Sequence, residues 1–227
     1  MSVLNDPKLE ALLDMLHAQS KAQEPATWEH FSEAWRTKTP VDFGQGDDKR
    51  FMADKLVALE RDKAEFCYLT CRALSACNVV EAGTSYGVST LYLAAALRDN
   101  AKAGGKKGKV IATEYEPAKA NAARGNFEKS GLADFVELRE GDLRETLKEI
   151  RTEIEFMLVD IWIPMALPAL SLIAPHMRKG AVAITDNTKQ FREDYRDYFA
   201  FLEEPKNGFR TATLPFEGGL EFSVKVA

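Results

Sequence analysis

The stretch Glu81-Ala82-Gly83-Thr84-Ser85-Tyr86-Gly87-Val88-Ser89-Thr90 constrains this chain most, because it joins the strand-like run Asn78-Val79-Val80 to an apolar helical pattern, Leu91 to Leu97. Strand, glycine turn and helix start form one unit. Glycines let the backbone pass close to a ligand, and the N–H groups of the following helix's first turn point at whatever sits there. Such a unit is a cradle for a nucleotide-type cofactor.

Three other readings compete for the same residues. A dinucleotide fold wants G-x-G-x-x-G, whereas Gly83 and Gly87 flank Ser85 where the middle glycine would stand. This argues against NAD or FAD. Gly83-Thr84-Ser85-Tyr86-Gly87 also matches G-x-S-x-G, the elbow that exposes a nucleophilic serine in hydrolases. That serine needs a later acid and then a histidine at the strand tips, yet the only downstream histidine, His176, lies before a strand. The third reading is a purely structural turn in a Rossmann-like scaffold.

A second acidic landmark favours the cradle. Lys109-Val110-Ile111-Ala112-Thr113 reads as the next buried strand and ends in Glu114-Tyr115-Glu116-Pro117. An acid at that tip is placed to accept both hydroxyls of a ribose, usually about 20 residues beyond the glycines. Here Gly87 and Glu114 are 27 apart, the surplus being the loop from Ala101 to Gly108.

Further strands are expected at Phe135–Leu138, Phe156–Asp160 and Ala181–Asp186. Helices are expected around Arg144 to Ile150, Met165 to Ala174 and Gln190 to Leu202, and such alternation predicts a parallel sheet covered on both faces. Arg210–Leu214 and Leu220–Val226 flank Pro215 and Gly218-Gly219 with no helix between them, so a terminal hairpin places one strand antiparallel. The predicted class is thus α/β: Rossmann-like, doubly wound and mostly parallel.

Upstream, Asp6 and Pro7 start a helix whose apolar stripe is Leu9, Leu12, Leu13 and Leu16. Between Trp28 and Gly46 the periodicity fails, and Pro25, Pro40, Gly44 and Gly46 punctuate the chain, predicting a loop-rich segment beside a substrate. Asp62-Lys63-Ala64-Glu65 has the spacing of a capping box and opens a helix. Residues 1–61 then form an N-terminal extension and residues 62–227 the cofactor-binding domain.

At 227 residues and net charge −5, the chain can bury one continuous core and offers no field for phosphate backbones. Nucleic acid is not an expected partner, and the Lys102–Lys109 cluster, glycine-rich and without aromatics, reads as a solvated loop. No apolar run approaches the about 18 residues needed to span a bilayer, and the start lacks a signal-like pattern. A cytoplasmic protein without membrane contact is expected. Cys67, Cys71 and Cys77, lacking a second pair or a close histidine, read as reduced packing residues.

Chemistry should gather outside the carboxyl ends of the parallel strands. Asp160 ends one, and Asp186 and Asn187 end the next. Carboxylate and amide oxygens suit a hard divalent ion such as magnesium, which orients a hydroxyl and lowers its pKa. The alternative is a turn at Asp186-Asn187 and a helix cap at Asp160.

From about Asp62 onward the chain resembles the class I S-adenosylmethionine-dependent methyltransferases, among them the small O-methyltransferases of the catechol and caffeoyl-coenzyme A type. The residues carrying the resemblance are Glu81 to Ser89, Glu114-Tyr115-Glu116-Pro117, Gly141-Asp142, Val159-Asp160-Ile161-Trp162, and Arg178-Lys179-Gly180 through Asp186-Asn187. It implies a seven-stranded sheet with the reversed strand near its edge. It also implies that Glu81, Gly83, Ser85 and Ser89 surround the methionine end of S-adenosylmethionine, Glu114 the ribose and Asp142 the adenine side. Thr84, Gly87, Tyr115 and Asp160 complete the expected cofactor set.

By the same resemblance Asp160, Asp186 and Asn187 hold the metal, Asp160 is the catalytic residue, and Trp162 lines the pocket of a small, catechol-like acceptor; Trp28 and Trp35 are further wall candidates. Enzymes of this type often pair into homodimers. One position departs from the pattern: catechol-type enzymes carry a lysine as base where Ile163 stands. Open alternatives are the metal alone, Lys189, His30 or an acid from Asp47-Asp48 as proton path, or a different acceptor. Metal-independent or N-directed small-molecule methylation, a serine hydrolase using Ser85, and an inactive cofactor-binding protein stand beside the main reading.

Overall fold

The structure, a computed structural model, describes residues 3–37 and 46–227. Helix α1 (Pro7–Thr37) is followed by α2 (Gly46–Met52), α3 (Arg61–Ala73), β1 (Asn78–Ala82), α4 (Val88–Lys102), β2 (Lys109–Glu114) and α5 (Pro117–Ser130). Then come β3 (Val136–Glu140), α6 (Leu143–Thr146), β4 (Ile154–Val159), α7 (Ile163–Ile173), β5 (Met177–Asp186), α8 (Arg196–Glu203), β6 (Phe209–Leu214) and β7 (Leu220–Lys225).

The strands form one sheet in the order β3-β2-β1-β4-β5-β7-β6. The first five are parallel, and β7 runs antiparallel between β5 and β6. Side chains of a strand alternate between faces. In β4, Phe156 and Leu158 enter a core with Leu91, Leu93 and Leu97 of α4, while Met157 and Val159 enter another with Leu170 and Ile173 of α7 and Phe199 of α8. The sheet is therefore covered on both sides, as expected, with the reversed strand one place from the edge.

Asp6 caps α1, its Oδ1 accepting from Leu9 N at 3.2 Å while Glu10 Oε1 accepts from Asp6 N at 3.2 Å. Leu9, Leu13 and Leu16 share the core of α4. Where a loop-rich segment from Trp28 was expected, α1 runs unbroken through Pro25 to Thr37. Tertiary contacts override the weak pattern there: Phe31 is buried, His30 stacks on Phe51 at 3.9 Å, and Gln23 Oε1 accepts from Leu56 N. Pro40 and Gly44 lie outside the described residues, as does the side chain of Trp35.

Four helix boundaries also differ from expectation. Only one helical turn, α6, forms after β3 where a helix from Arg144 to Ile150 was expected, and α7 begins two residues before Met165. Residues 190–195 make turns rather than helix, because Lys189 N and Gln190 N both donate to Gly218 O, at 3.0 and 2.8 Å. The helix at Lys63 starts at Arg61 with Glu60 as its cap position. Between Lys102 at the end of α4 and Lys109 at the start of β2 the chain makes a largely exposed loop, and Cys67 and Cys71 pack in the core with Cys77 half-buried.

Candidate active site

The loop from β1 to α4 is shaped by its glycines. At Gly83, with φ +96°, a Cβ would lie 1.9 Å from the Asp160 carbonyl oxygen; only glycine lets the two strand exits touch. Gly87, with φ +83°, lies against the Phe127 ring and donates its N–H to Thr84 O at 2.7 Å. Ser85 between them also has a left-handed backbone, with φ +49°.

Glu81 braces this loop from within. It is fully buried, and its carboxylate accepts from Thr84 Oγ1 at 2.9 Å, from Ser89 Oγ at 2.7 Å and from Thr90 Oγ1. Burial pushes its pKa up to about 7 against the three hydroxyl donors that favour the anion. Glu81 and Ser89, expected around the cofactor, are thus bonded to each other beneath the loop.

Glu114 closes the other side of the turn. Ser85 N donates to Glu114 Oε2 at 2.7 Å and Glu116 N to Oε1 at 2.8 Å. The Ser85 hydroxyl is buried and has no partner, an unsatisfied polar atom inside the loop. Tyr115 is exposed, with Lys49 of α2 4.6 Å from its ring centroid and 3.9 Å from Glu116 Oε1. Gly141 N reaches Glu114 O at 2.9 Å, so Asp142 follows from the same edge. Asp142 caps α6 through Arg144 N, and the Arg144 side chain beside it holds its carboxyl below the usual range.

The β4 and β5 tips carry Asp160 and Asp186. Asp160 N donates to Ala82 O at 3.0 Å, joining it to the glycine turn. Burial, followed by the charges of Asp186, Glu60 and Glu81, raises the Asp160 carboxyl well above its ordinary pKa. Asp186 is buried too, which pushes its pKa up to about 6 despite a cation beside it. That cation is Lys63 of α3, whose Nζ lies 2.6 Å from Asp186 Oδ1 and 2.8 Å from Glu60 Oε2. Burial opposes the ammonium, yet Asp186 and Glu60 hold its pKa above the ordinary lysine value.

Asn187, also left-handed at φ +56°, donates Nδ2 to Asp186 Oδ2 at 2.7 Å. Both Asp186 oxygens are therefore engaged by internal donors. Among the described residues, no group of three or more histidine, cysteine or carboxylate side chains is placed to hold a metal ion. As arranged, Asp160, Asp186 and Asn187 do not present an open divalent site.

Sequence reasoning missed Lys63 as a functional residue. Its signal was present: Lys63, Cys67 and Cys71 recur every four residues, and all three are buried on one face of α3, so a lysine stood in an apolar stripe. Trp162 sits at the start of α7, 38% exposed, on the loop after Asp160. Of the suggested proton acceptors, Lys189 is exposed and His30 pairs with Asp48 at 2.9 Å on α1 and α2. His176 precedes β5, at the opposite end of the sheet from Ser85, so the hydrolase arrangement does not form.

Residues 80–188 match the family described as methyltransferase domain. Two proteins named catechol O-methyltransferase are similar to this chain. The one from Mycobacterium tuberculosis is 30% identical over 132 residues, which is 58% of this chain and 57% of the relative. The one from Niastella koreensis is 26% identical over 135 residues, 58% of each. The matched stretch thus spans under two thirds of these relatives' lengths. Among solved structures, an O-methyltransferase from Bacillus cereus in complex with SAH has the same fold, with a TM-score of 0.69 at 20% identity over 97% of this chain and 91% of that one. Its central segment thus matches a methyltransferase domain, and its seven-stranded sheet has the fold of that solved structure.

Proposed function

We propose that this protein binds S-adenosylmethionine across the tips of β1, β2 and β4 and transfers its methyl group to a hydroxyl of a small acceptor. One observation carries the reading. The Gly83–Gly87 turn ties two neighbouring strand tips together, through Ser85 to Glu114 on β2 and through Gly83 to the Asp160 backbone after β4. This is the switch point of the sheet, where open α/β folds bind their ligands.

The residues fit that cofactor. It carries a sulfonium and no phosphate, and the crevice is rimmed by Glu114 and Asp160 over buried Glu81. When bound, S-adenosylmethionine supplies a methyl group already activated for transfer. Glu114 faces the ribose, the orphaned Ser85 hydroxyl is available to a polar atom of the ligand, and Tyr115 and Asp142 flank the adenine side. Asp160 lies between this crevice and the β5 tip, where the acceptor must be aligned with the methyl carbon. The bound cofactor would give its methyl carbon to the acceptor oxygen, with the carbon–sulfur electron pair kept on sulfur and the hydroxyl proton passed to solvent.

An aromatic, catechol-like acceptor is supported by the names of the two similar proteins and by exposed Trp162 beside Asp160. A cytosolic setting is supported by the three free thiols. A divalent ion is the assistance implied by the resemblance, but the donors around Asp186 do not fit it as they stand, and no step here runs through one.

Calorimetry with S-adenosylmethionine and SAH tests the reading, followed by transfer of a labelled methyl group to a panel of catechols and simple phenols. Cofactor binding that is lost in Glu114→Ala, with labelled product, is expected. Absence of cofactor binding by the folded chain overturns it.

A further inference from the structure

At the acceptor end of the site the one group that does not follow from methyl transfer is the buried ammonium of Lys63. It is 1% exposed, and its Nζ reaches Asp186 Oδ1 at 2.6 Å and Glu60 Oε2 at 2.8 Å. Lysine is almost never fully buried unless paired. Here the pairing spans the fold, from the first turn of α3 to the last residue of β5, 123 positions apart. The residue it neutralises is the one that a divalent ion would need, and Asp186's other oxygen accepts from Asn187. A divalent ion coordinated by Asp186 would stand within a few ångströms of this ammonium, and two cations cannot share one buried carboxylate without strong repulsion.

We propose that Lys63 is the resident cation of the acceptor site: its ammonium takes the counter-charge role at Asp186, excludes a divalent ion, and lets methyl transfer proceed without one. Asp186 and Glu60 use two of its three protons, leaving one to donate toward an acceptor oxygen as that oxygen gains negative charge. Lys63 is thus a catalytic residue carried by α3, and it also accounts for Ile163: with a cation entering from α3, no lysine is required on the loop after Asp160. The catalytic half of the proposal rests on the methyl-transfer reading; the exclusion of the ion does not.

Manganese binding to the full chain, followed by electron paramagnetic resonance, tests the exclusion without any turnover. The wild type and Lys63→Arg are expected to bind no manganese, whereas Lys63→Met gains a site that disappears in Lys63→Met/Asp186→Asn. Wild-type binding abolished by Asp186→Asn overturns the proposal, as does a folded Lys63→Met that gains no site. Should Lys63→Met not fold by circular dichroism, the wild-type and Lys63→Arg titrations decide alone. With S-adenosylmethionine and catechol, turnover is expected to be unchanged by EDTA and to fall at least tenfold in Lys63→Met with SAH affinity kept. A tenfold loss of wild-type turnover on chelation overturns the catalytic half. Failure of SAH binding sinks the methyl-transfer reading and leaves the manganese result standing.

Discussion

Ser85 donates its backbone N–H to Glu114 at 2.7 Å, so the turn that opens α4 is fastened to the tip of the neighbouring strand by a charged acceptor. The same carboxylate accepts from Glu116 N and is the group proposed above to meet the ribose. Glu114→Ala removes two charge-assisted bonds, each worth about 1.5–3 kcal/mol. SAH affinity should fall at least about tenfold, a factor equal to about 1.4 kcal/mol. Calorimetry reads this, with circular dichroism confirming that the fold persists.

Gly83 and Gly104 form a matched pair for separating backbone strain from collision. Both have positive φ, +96° and +93°, but only at Gly83 would a Cβ meet another backbone, at 1.9 Å from Asp160 O. Gly104→Ala should cost about 1–2 kcal/mol from its left-handed backbone alone. Gly83→Ala adds a collision inside a packed junction and should exceed about 3 kcal/mol. Urea unfolding of the two variants against wild type checks the difference.

Glu81 makes stability depend on pH. Its pKa is about 7 in the folded chain against an ordinary 4.5. Between those values the folded state retains a proton that the unfolded state has released, so stability falls as pH rises through this window and levels off above it. The contribution is about 3 kcal/mol at most, from about 1.4 kcal/mol per unit. Glu81→Gln should flatten the wild-type decline between pH 5 and pH 8 in urea titrations. A cationic ligand nearby favours the anion, so wild-type binding of S-adenosylmethionine should release protons near pH 6.5, measurable by calorimetry in buffers of different ionisation enthalpy.

Helix α1 is part of the main core rather than an appendage. Leu13 is fully buried among residues of α3 and α4. Leu13→Ala should destabilise the whole chain by about 2–5 kcal/mol, and the loss should appear in a single unfolding transition. A separate early transition confined to the helix would contradict this.

The parallel core was legible in the sequence because fully buried strands such as Val79-Val80 and Phe156 to Val159 are short apolar runs with turn residues at their ends. The glycine turn and the acids at strand tips were legible for the same local reason. Helix α1 beyond Trp28 was not, since it is held by Phe31 and His30 meeting Phe51 from another helix. The delay of α8 escaped notice because it depends on a carbonyl at Gly218, far along the chain. Lys63 was overlooked on a general ground: a charged residue in a helix's first turn reads as solvent-facing until its partner, here Asp186, is known.

The placement of β7 orders events during synthesis. Strand β6 leaves the ribosome first but pairs only with β7, while β7 also supplies the partner that Asp186 meets at Leu220. A nascent chain halted near residue 214 would expose an unsatisfied edge along β5 and a dangling ribbon beside it, an invitation to chaperones or to mispairing. Strand β7 is the keystone of this side of the sheet, and the Asp186 end of β5 gains its neighbour only when that strand slides home.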